Sequence, residues 1–201
     1  MENYSQFLKR YRDAEPESRI EIILENYAVF PGKINIIEAE MKFNIISEQE
    51  FLRSHRRGET GIRVNNSELS NPTERAAFNN MELDDAFKEG TLDSILKGID
   101  NASEYEEDYR TLGVMKREFL LLKTFMKNID EEDSEIVLMR LEENKSFNEI
   151  AIAIDLHKDT VRRRYNQIRL DINNELVACL ELSSKTLKPT IQKGGGQDDA
   201  G

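Results

Sequence analysis

Long side chains that donate hydrogen bonds are concentrated between positions 157 and 167. Arginine can pair bidentately with guanine, asparagine and glutamine can pair with adenine, and lysine contacts phosphate. This pattern favours recognition of double-stranded DNA. The residues predicted to contact it are His157, Lys158, Asp159, Thr160, Arg162, Arg163, Arg164, Asn166 and Gln167.

A helix over 158–169 or longer would present most of these side chains on one face. At about 100° per residue, Arg163 and Asn166 lie opposite an apolar stripe that we expect to be buried. The stripe consists of Val161, Tyr165 and Ile168. Arg164 lies beside it, and we expect its guanidinium to reach either a phosphate or an acid of the neighbouring helix.

Two shorter helices are predicted just before this one. The first covers 131–143, with Asp130 as its N-cap, and the second covers 147–154. Ser146 and Glu149 have the spacing of a capping box. The three intervening residues, 155–157, have the length of a helix-turn-helix turn. Asp155 is expected in the left-handed conformation that such turns need, and Leu156 is expected to plug the core beneath.

The segment 130–170 resembles region 4 of sigma-70-type factors, through residues 146–151 and 160–162. The upstream part resembles phage late transcription regulators of the RinA and ArpU type. That second likeness rests on Asn71-Pro72-Thr73-Glu74-Arg75-Ala76-Ala77, which opens a helix after a polar loop. The resemblance implies a DNA-binding transcription activator of prophage origin, with RNA polymerase as a candidate partner.

The pattern along the whole chain predicts an all-α fold. We expect an N-terminal helical segment (1–53), a polar loop (54–72) and a helical middle segment (73–103). A long helix and the helix-turn-helix follow (104–182), and then a disordered tail (183–201).

Several boundaries are predicted from glycine and proline. Pro31 and Gly32 are expected to break an apolar helical pattern, with a second helix over 33–43. A further helix is expected to begin at Pro72, with Asn71 as its N-cap, and to stop at Gly90 after about residue 88. Residues 91–98 are predicted to form a short helical piece.

Residues 104–128 carry apolar side chains at alternating three- and four-residue steps. One interpretation is a long helix packed on its own chain. The other is a homodimer through this helix, because the same spacing occurs in coiled-coil seams.

The charge distribution is uneven although the formal net charge is −11. Residues 100–143 contain 6 basic and 13 acidic side chains, and residues 145–169 contain 6 basic and 3 acidic side chains. The sign of the local charge changes between positions 143 and 145, at the start of the stretch that holds the predicted DNA contacts. The single cysteine cannot form an internal disulfide, and no apolar run spans a bilayer. The expected location is the cytoplasm.

Two alternatives to a transcription regulator remain open. A phage small terminase subunit also binds DNA through a helix-turn-helix, and a helix-turn-helix adaptor would bind protein. Enzymes are disfavoured, because phosphate-binding loops, catalytic triads and metal quartets are not found at motif spacing. No cofactor and no metal is predicted.

Overall fold

The computed structural model describes residues 3–59 and 72–186, and it describes the side chains of 3–55 and 80–180. Within these ranges there is no strand, so the predicted all-α fold class is confirmed. One short 3-10 helix covers Leu92–Ser94, inside the predicted helical piece 91–98. The α-helices are α1 (Tyr4–Asp13), α2 (Pro16–Glu25), α3 (Phe30–Glu59), α4 (Pro72–Glu89), α5 (Ala102–Asn128), α6 (Glu131–Leu141), α7 (Phe147–Ala153) and α8 (Lys158–Thr186).

These helices fall into two compact units. The first unit comprises the described parts of 1–14 and 25–120, and the second comprises those of 15–24 and 121–201. α2 therefore belongs to the second unit although α1 and α3, on either side of it in sequence, belong to the first. The boundary also divides α5, which the sequence-based segments assign as a whole to the DNA-binding part.

Aromatic side chains from α1, α3 and α5 form the core of the first unit. The ring of Phe30 lies 6.3 Å from Phe7, 5.9 Å from Tyr11 and 5.4 Å from Phe119, between ring centroids. The Tyr11 hydroxyl donates a 2.6 Å hydrogen bond to the buried carboxylate of Glu118. This core holds α3 by one face along the first half of its length.

α3 is much longer than predicted. Its pattern does break, but at a turn over 26–29, and Pro31 lies inside the first helical turn. Proline is tolerated there because the N–H that it lacks would have no acceptor within the helix. The helix then continues to Glu59, so the predicted second helix over 33–43 is too short. The predicted polar loop is wrong for 54–59, and the remainder of it, 60–71, lies outside the described residues.

The predicted bounds of α4 agree with the structure, whereas the prediction for the chain end is partly wrong. α4 begins at Pro72 and ends at Glu89, before Gly90 with its positive φ of 75°, as predicted. The expected N-cap Asn71 lies outside the described residues. The tail prediction is wrong for 183–186, because α8 continues to Thr186. The rest of the tail is likewise outside the described part.

The apolar stripe of α5 is covered by its own chain. Leu112, Met115, Leu122 and Met126 are each less than 5% exposed. A stripe buried in this way leaves little surface for a second copy, and nothing among the described residues supports the homodimer predicted through residues 104–128. The interpretation of a helix packed on its own chain accounts for the spacing.

Charged side chains connect three helices of the first unit. The Lys42 ammonium on α3 lies 2.7 Å from Glu38 and 2.8 Å from Asp84 on α4, and Lys116 on α5 also pairs with Glu38. Burial raises the pKa of Glu38, but the two ammonium groups outweigh it and leave that pKa below its usual value. No helix in the described ranges is both long enough and apolar enough to cross a membrane.

Candidate nucleic-acid interface

The predicted DNA-contacting residues lie in the second unit, where α6, α7 and α8 pack pairwise against one another. Apolar side chains from all three helices are buried between them. These are Ile136 and Val137 of α6, Ile150 and Ala151 of α7, and Val161, Tyr165 and Ile168 of α8. The apolar stripe predicted on the third helix is confirmed by its burial.

Local capping fixes where α6 and α7 begin. The Asp130 carboxylate accepts the backbone N–H of Glu132 at 3.0 Å. Ser146 and Glu149 form the predicted capping box, in which each side chain accepts the other residue's backbone N–H. The Ser146 N–H, at 2.7 Å, is the main reason that the pKa of Glu149 lies below its usual value. Both predicted caps are therefore confirmed.

The connection between α7 and α8 covers residues 154–157, one residue more than predicted, because α7 ends at Ala153. Asp155 has a φ of 52°, the left-handed conformation expected for it. The backbone N–H of Leu156 donates to the Ala151 carbonyl at 3.0 Å, and the Leu156 side chain is half-buried. This turn sets the direction in which α8 leaves α7.

Seven of the nine predicted site residues are exposed, and Thr160 and Arg164 are half-buried. The exposed ones are His157, Lys158, Asp159, Arg162, Arg163, Asn166 and Gln167. The first turns of α8 thus carry a buried apolar face and a polar face that reaches solvent.

The three consecutive arginines differ in what their guanidinium groups contact. Arg164 pairs with two acids of α6, at 2.6 Å from Glu132 and 2.5 Å from Asp133. The hydrogen bonds to Glu132 and Asp133 raise the pKa of Arg164. Of the two alternatives predicted for Arg164, the structure has the acid of the neighbouring helix. Arg162 and Arg163 make no ion pair within the described part of the chain.

Two other predicted residues have partners on α8 itself. The Gln167 amide donates to the Asp171 carboxylate at 2.9 Å. The His157 ring nitrogen Nδ1 accepts the backbone N–H of Asp159 at 3.3 Å, so His157 caps the start of α8. The Asp159 carboxylate lies 3.6 Å from the same ring, within the first turn. Lys158, Arg162, Arg163 and Asn166 are left as the exposed donors of this face.

Sequence reasoning missed Arg140 of α6. Its guanidinium lies 5.2 Å from the centroid of the Phe147 ring and donates to the Lys145 carbonyl at 2.9 Å. Phe147 in turn meets Tyr165 edge to face, with 5.4 Å between ring centroids. Burial raises the pKa of Tyr165. No spacing rule relates Arg140 to Phe147, because the contact depends on how two helices pack.

α2 was also not expected beside α8. Arg169 of α8 pairs with Glu21 of α2 across 148 positions of sequence. α2 contributes Ile20 and Ile23, and the continuation of α8 contributes Ile172 and Leu176, all of them buried. The long α8 is thus supported beyond the segment that carries the predicted contacts.

Metal binding and similarity to known proteins give no further indication of function. No cluster of three or more histidine, cysteine or acidic side chains that could hold a metal ion occurs among the described residues. Neither a family model, a curated protein nor a solved structure matches this chain.

Proposed function

We propose that this protein is a sequence-specific DNA-binding regulator of transcription that reads the major groove with the first three turns of α8. The proposal depends on the exposure of Arg162, Arg163 and Asn166 and on the face of α8 that they share. They are exposed, the two arginines make no ion pair in the described part of the chain, and all three lie on the face of α8 that points away from its buried stripe. An α-helix of this width fits the major groove of B-DNA.

Each exposed donor has a natural acceptor in that groove. The fork of Arg163 matches the O6 and N7 acceptors of guanine, and the Asn166 amide matches the N7 and N6 groups of adenine. Lys158, at the start of the helix, is suited to a phosphate, as is whichever arginine does not face a base edge. The short turn over 154–157 and the burial of Val161 hold the helix in place, so the backbone that carries these side chains needs little ordering on binding.

The packing of Arg164 supports the same arrangement. Its ion pairs with Glu132 and Asp133 join α8 to the start of α6. We therefore assign Arg164 to positioning α8, and the DNA contacts to its neighbours.

The assignment to transcription rests on the resemblance to sigma region 4 and to phage late regulators. That resemblance implies an activator of phage or prophage genes, and RNA polymerase is the partner we propose for it. A transcription regulator needs no catalytic residues at its DNA-binding site. The exposed face of α8 holds hydrogen-bond donors, which are suited to binding.

Selection of bound fragments from random DNA tests the proposal and supplies the sequence for a titration by fluorescence anisotropy. We expect Arg163→Ala to lose about 1–3 kcal/mol of binding free energy, or roughly 5- to 150-fold in Kd, with relaxed preference at one base pair. Arg110→Ala is the matched control, because it removes the same charge from α5, where Arg110 pairs with Glu106.

Two results would contradict the proposal. One is selection that recovers no preferred sequence. The other is an Arg163→Ala protein that binds the selected sequence as tightly as Arg110→Ala does.

A further inference from the structure

α8 continues past the segment predicted to contact DNA, and its outer face there presents an apolar side chain. Leu170 is 57% exposed. With Val161 placed at 0° and about 100° added per residue, Leu170 points to about 180°, between Asn166 at about 140° and Arg163 at about 200°. Leu170 therefore lies on the same line along the helix as the two side chains assigned to base edges.

α8 keeps one orientation from Arg163 to Leu170. Tyr165, Ile168 and Ile172 are buried, as Val161 is. All three point within about 40° of Val161. The same side of α8 thus faces the core over the whole of this length, and the opposite side faces outwards. A ligand that follows the outer side from Arg163 along the helix meets Leu170 next to it.

The charged side chains on either side of Leu170 are both engaged within the protein. Arg169 pairs with Glu21 of α2, and the Asp171 carboxylate accepts a hydrogen bond from the Gln167 amide. Arg169 and Asp171 are half-buried, and each points about 100° away from Leu170. Neither charge therefore shares the outward direction of Leu170.

The side chains that do share this direction are uncharged. Between positions 164 and 174, those within about 60° of Leu170 are all amides, namely Asn166, Gln167, Asn173 and Asn174. The two amides beyond Leu170 line a groove with Glu17 of α2, whose carboxylate would repel a phosphate. We therefore place the end of the outer contact face at Leu170.

We infer that Leu170 reads the C5-methyl group of a thymine in the major groove. This inference rests on the proposed function, whose recognition helix it extends by one turn. Leucine offers no hydrogen bond, and the thymine methyl is the apolar group that base edges present in that groove. The methyl group distinguishes thymine from cytosine and from both purines, so Leu170 contributes sequence specificity.

The spacing along α8 locates the thymine relative to the guanine assigned to Arg163. Seven residues at 1.5 Å each put Leu170 about 10.5 Å beyond Arg163. Base pairs rise about 3.4 Å each, so a helix that lies along the groove meets the thymine about three base pairs from that guanine. Asn166 lies between the two positions and is left to the base pairs between them.

Replacement of thymine by uracil tests the contact, because uracil pairs as thymine does and lacks the methyl group. Each thymine of the selected sequence is replaced singly, and Kd is measured by fluorescence anisotropy. We expect the wild type to bind one of these duplexes about 4-fold more weakly, the effect of exposing one methyl group. Leu170→Ala should bind that duplex and its thymine parent equally.

Leu120→Ala is the matched control, since it shortens another exposed leucine, 64% exposed on α5. It should keep the full dependence on the methyl group. The inference would be overturned by a selected sequence without a thymine at this spacing, by wild-type binding that no uracil weakens, or by equal methyl dependence in Leu170→Ala and wild type. Each of these results leaves the proposed function standing, whereas selection that recovers no preferred sequence would remove both.

Discussion

Arg162, Arg163 and Arg164 are identical in type and adjacent in sequence, yet they have different surroundings. Successive positions on a helix point about 100° apart, so three neighbours cover most of its circumference. Only Arg164 points towards α6, where Glu132 and Asp133 stand in the first helical turn. The position of each arginine on the helix therefore decides whether it forms an ion pair within the protein or points to solvent, where a ligand could reach it.

Arg164→Ala is expected to lower the free energy of unfolding by about 1 kcal/mol. The loss is modest because the Arg164 side chain is still 26% exposed and Glu132 is 67% exposed, so water screens the pairs. Urea denaturation measures it. Arg162→Ala is the control, as it removes the same charge from an exposed position and should leave stability within about 0.5 kcal/mol of wild type. Equal stability of the two variants would show that the ion pairs contribute nothing.

The residues of the site could be predicted to the extent that helix periodicity determines them. Burial of Val161 and exposure of Arg163 follow from a rotation of 100° per residue once a helix is assumed. The pairing of Arg164 with an acid of α6 was one of two outcomes that its place beside the stripe allowed. The stacking of Arg140 on Phe147 was not predictable, since it depends on the crossing of two helices.

α7 is a short helix that relies on its cap. It has only seven residues, too few to be stable alone, and its first turn is closed by Ser146 and Glu149. The depressed pKa of Glu149 means that its ionised form is bound more favourably in the folded protein than in the unfolded chain. The stabilisation is present above the ordinary pKa of 4.5 and is lost as the pH falls through the folded-state value.

Glu149→Gln is therefore expected to reduce stability at pH 7. The difference from wild type should shrink as the pH falls below 4.5 and the wild-type carboxyl becomes protonated. Thermal unfolding at a series of pH values gives the comparison. Glu175→Gln, at an exposed position of α8, serves as the control for loss of one negative charge. A constant difference between Glu149→Gln and wild type from pH 7 to pH 3 would contradict the capping role of the charge.

The elements that sequence predicted well are those with local signals. The capping box of α7 and the left-handed Asp155 depend on residues within a few positions of each other. The start of α3 was mispredicted because proline breaks a helix when it lies in the interior but is tolerated in the first turn, where Pro31 lies. The place of α2 beside α8 could not be inferred, because Glu21 and Arg169 are joined only by the tertiary fold.

The whole chain carries a net charge of −11, although its proposed DNA-binding face is basic. An acidic molecule is repelled by DNA at long range, and this weakens binding to unrelated sequences. Affinity must then come from a few cations that reach the duplex directly. Lys158, Arg162 and Arg163 are the exposed cations of the proposed contact in the described part of the chain. The next lysine or arginine towards the N-terminus is Lys145, whose ammonium lies 2.7 Å from Glu143.

Binding to the selected DNA sequence is expected to weaken as salt rises, with a slope of about −3 for log K against log salt, since three or four phosphates release their counterions. Between 50 and 200 mM salt this is a loss of roughly 50-fold. Anisotropy titrations at several salt concentrations measure the slope. Lys158→Ala should make the salt slope shallower by about 1. If the Arg163 side chain reads a base, Arg163→Ala should lower the affinity for the selected sequence and leave binding to a scrambled sequence nearly unchanged. Arg110→Ala should change neither quantity. A slope near zero would mean that the donors of α8 do not meet phosphates, and that the basic face serves a protein partner instead.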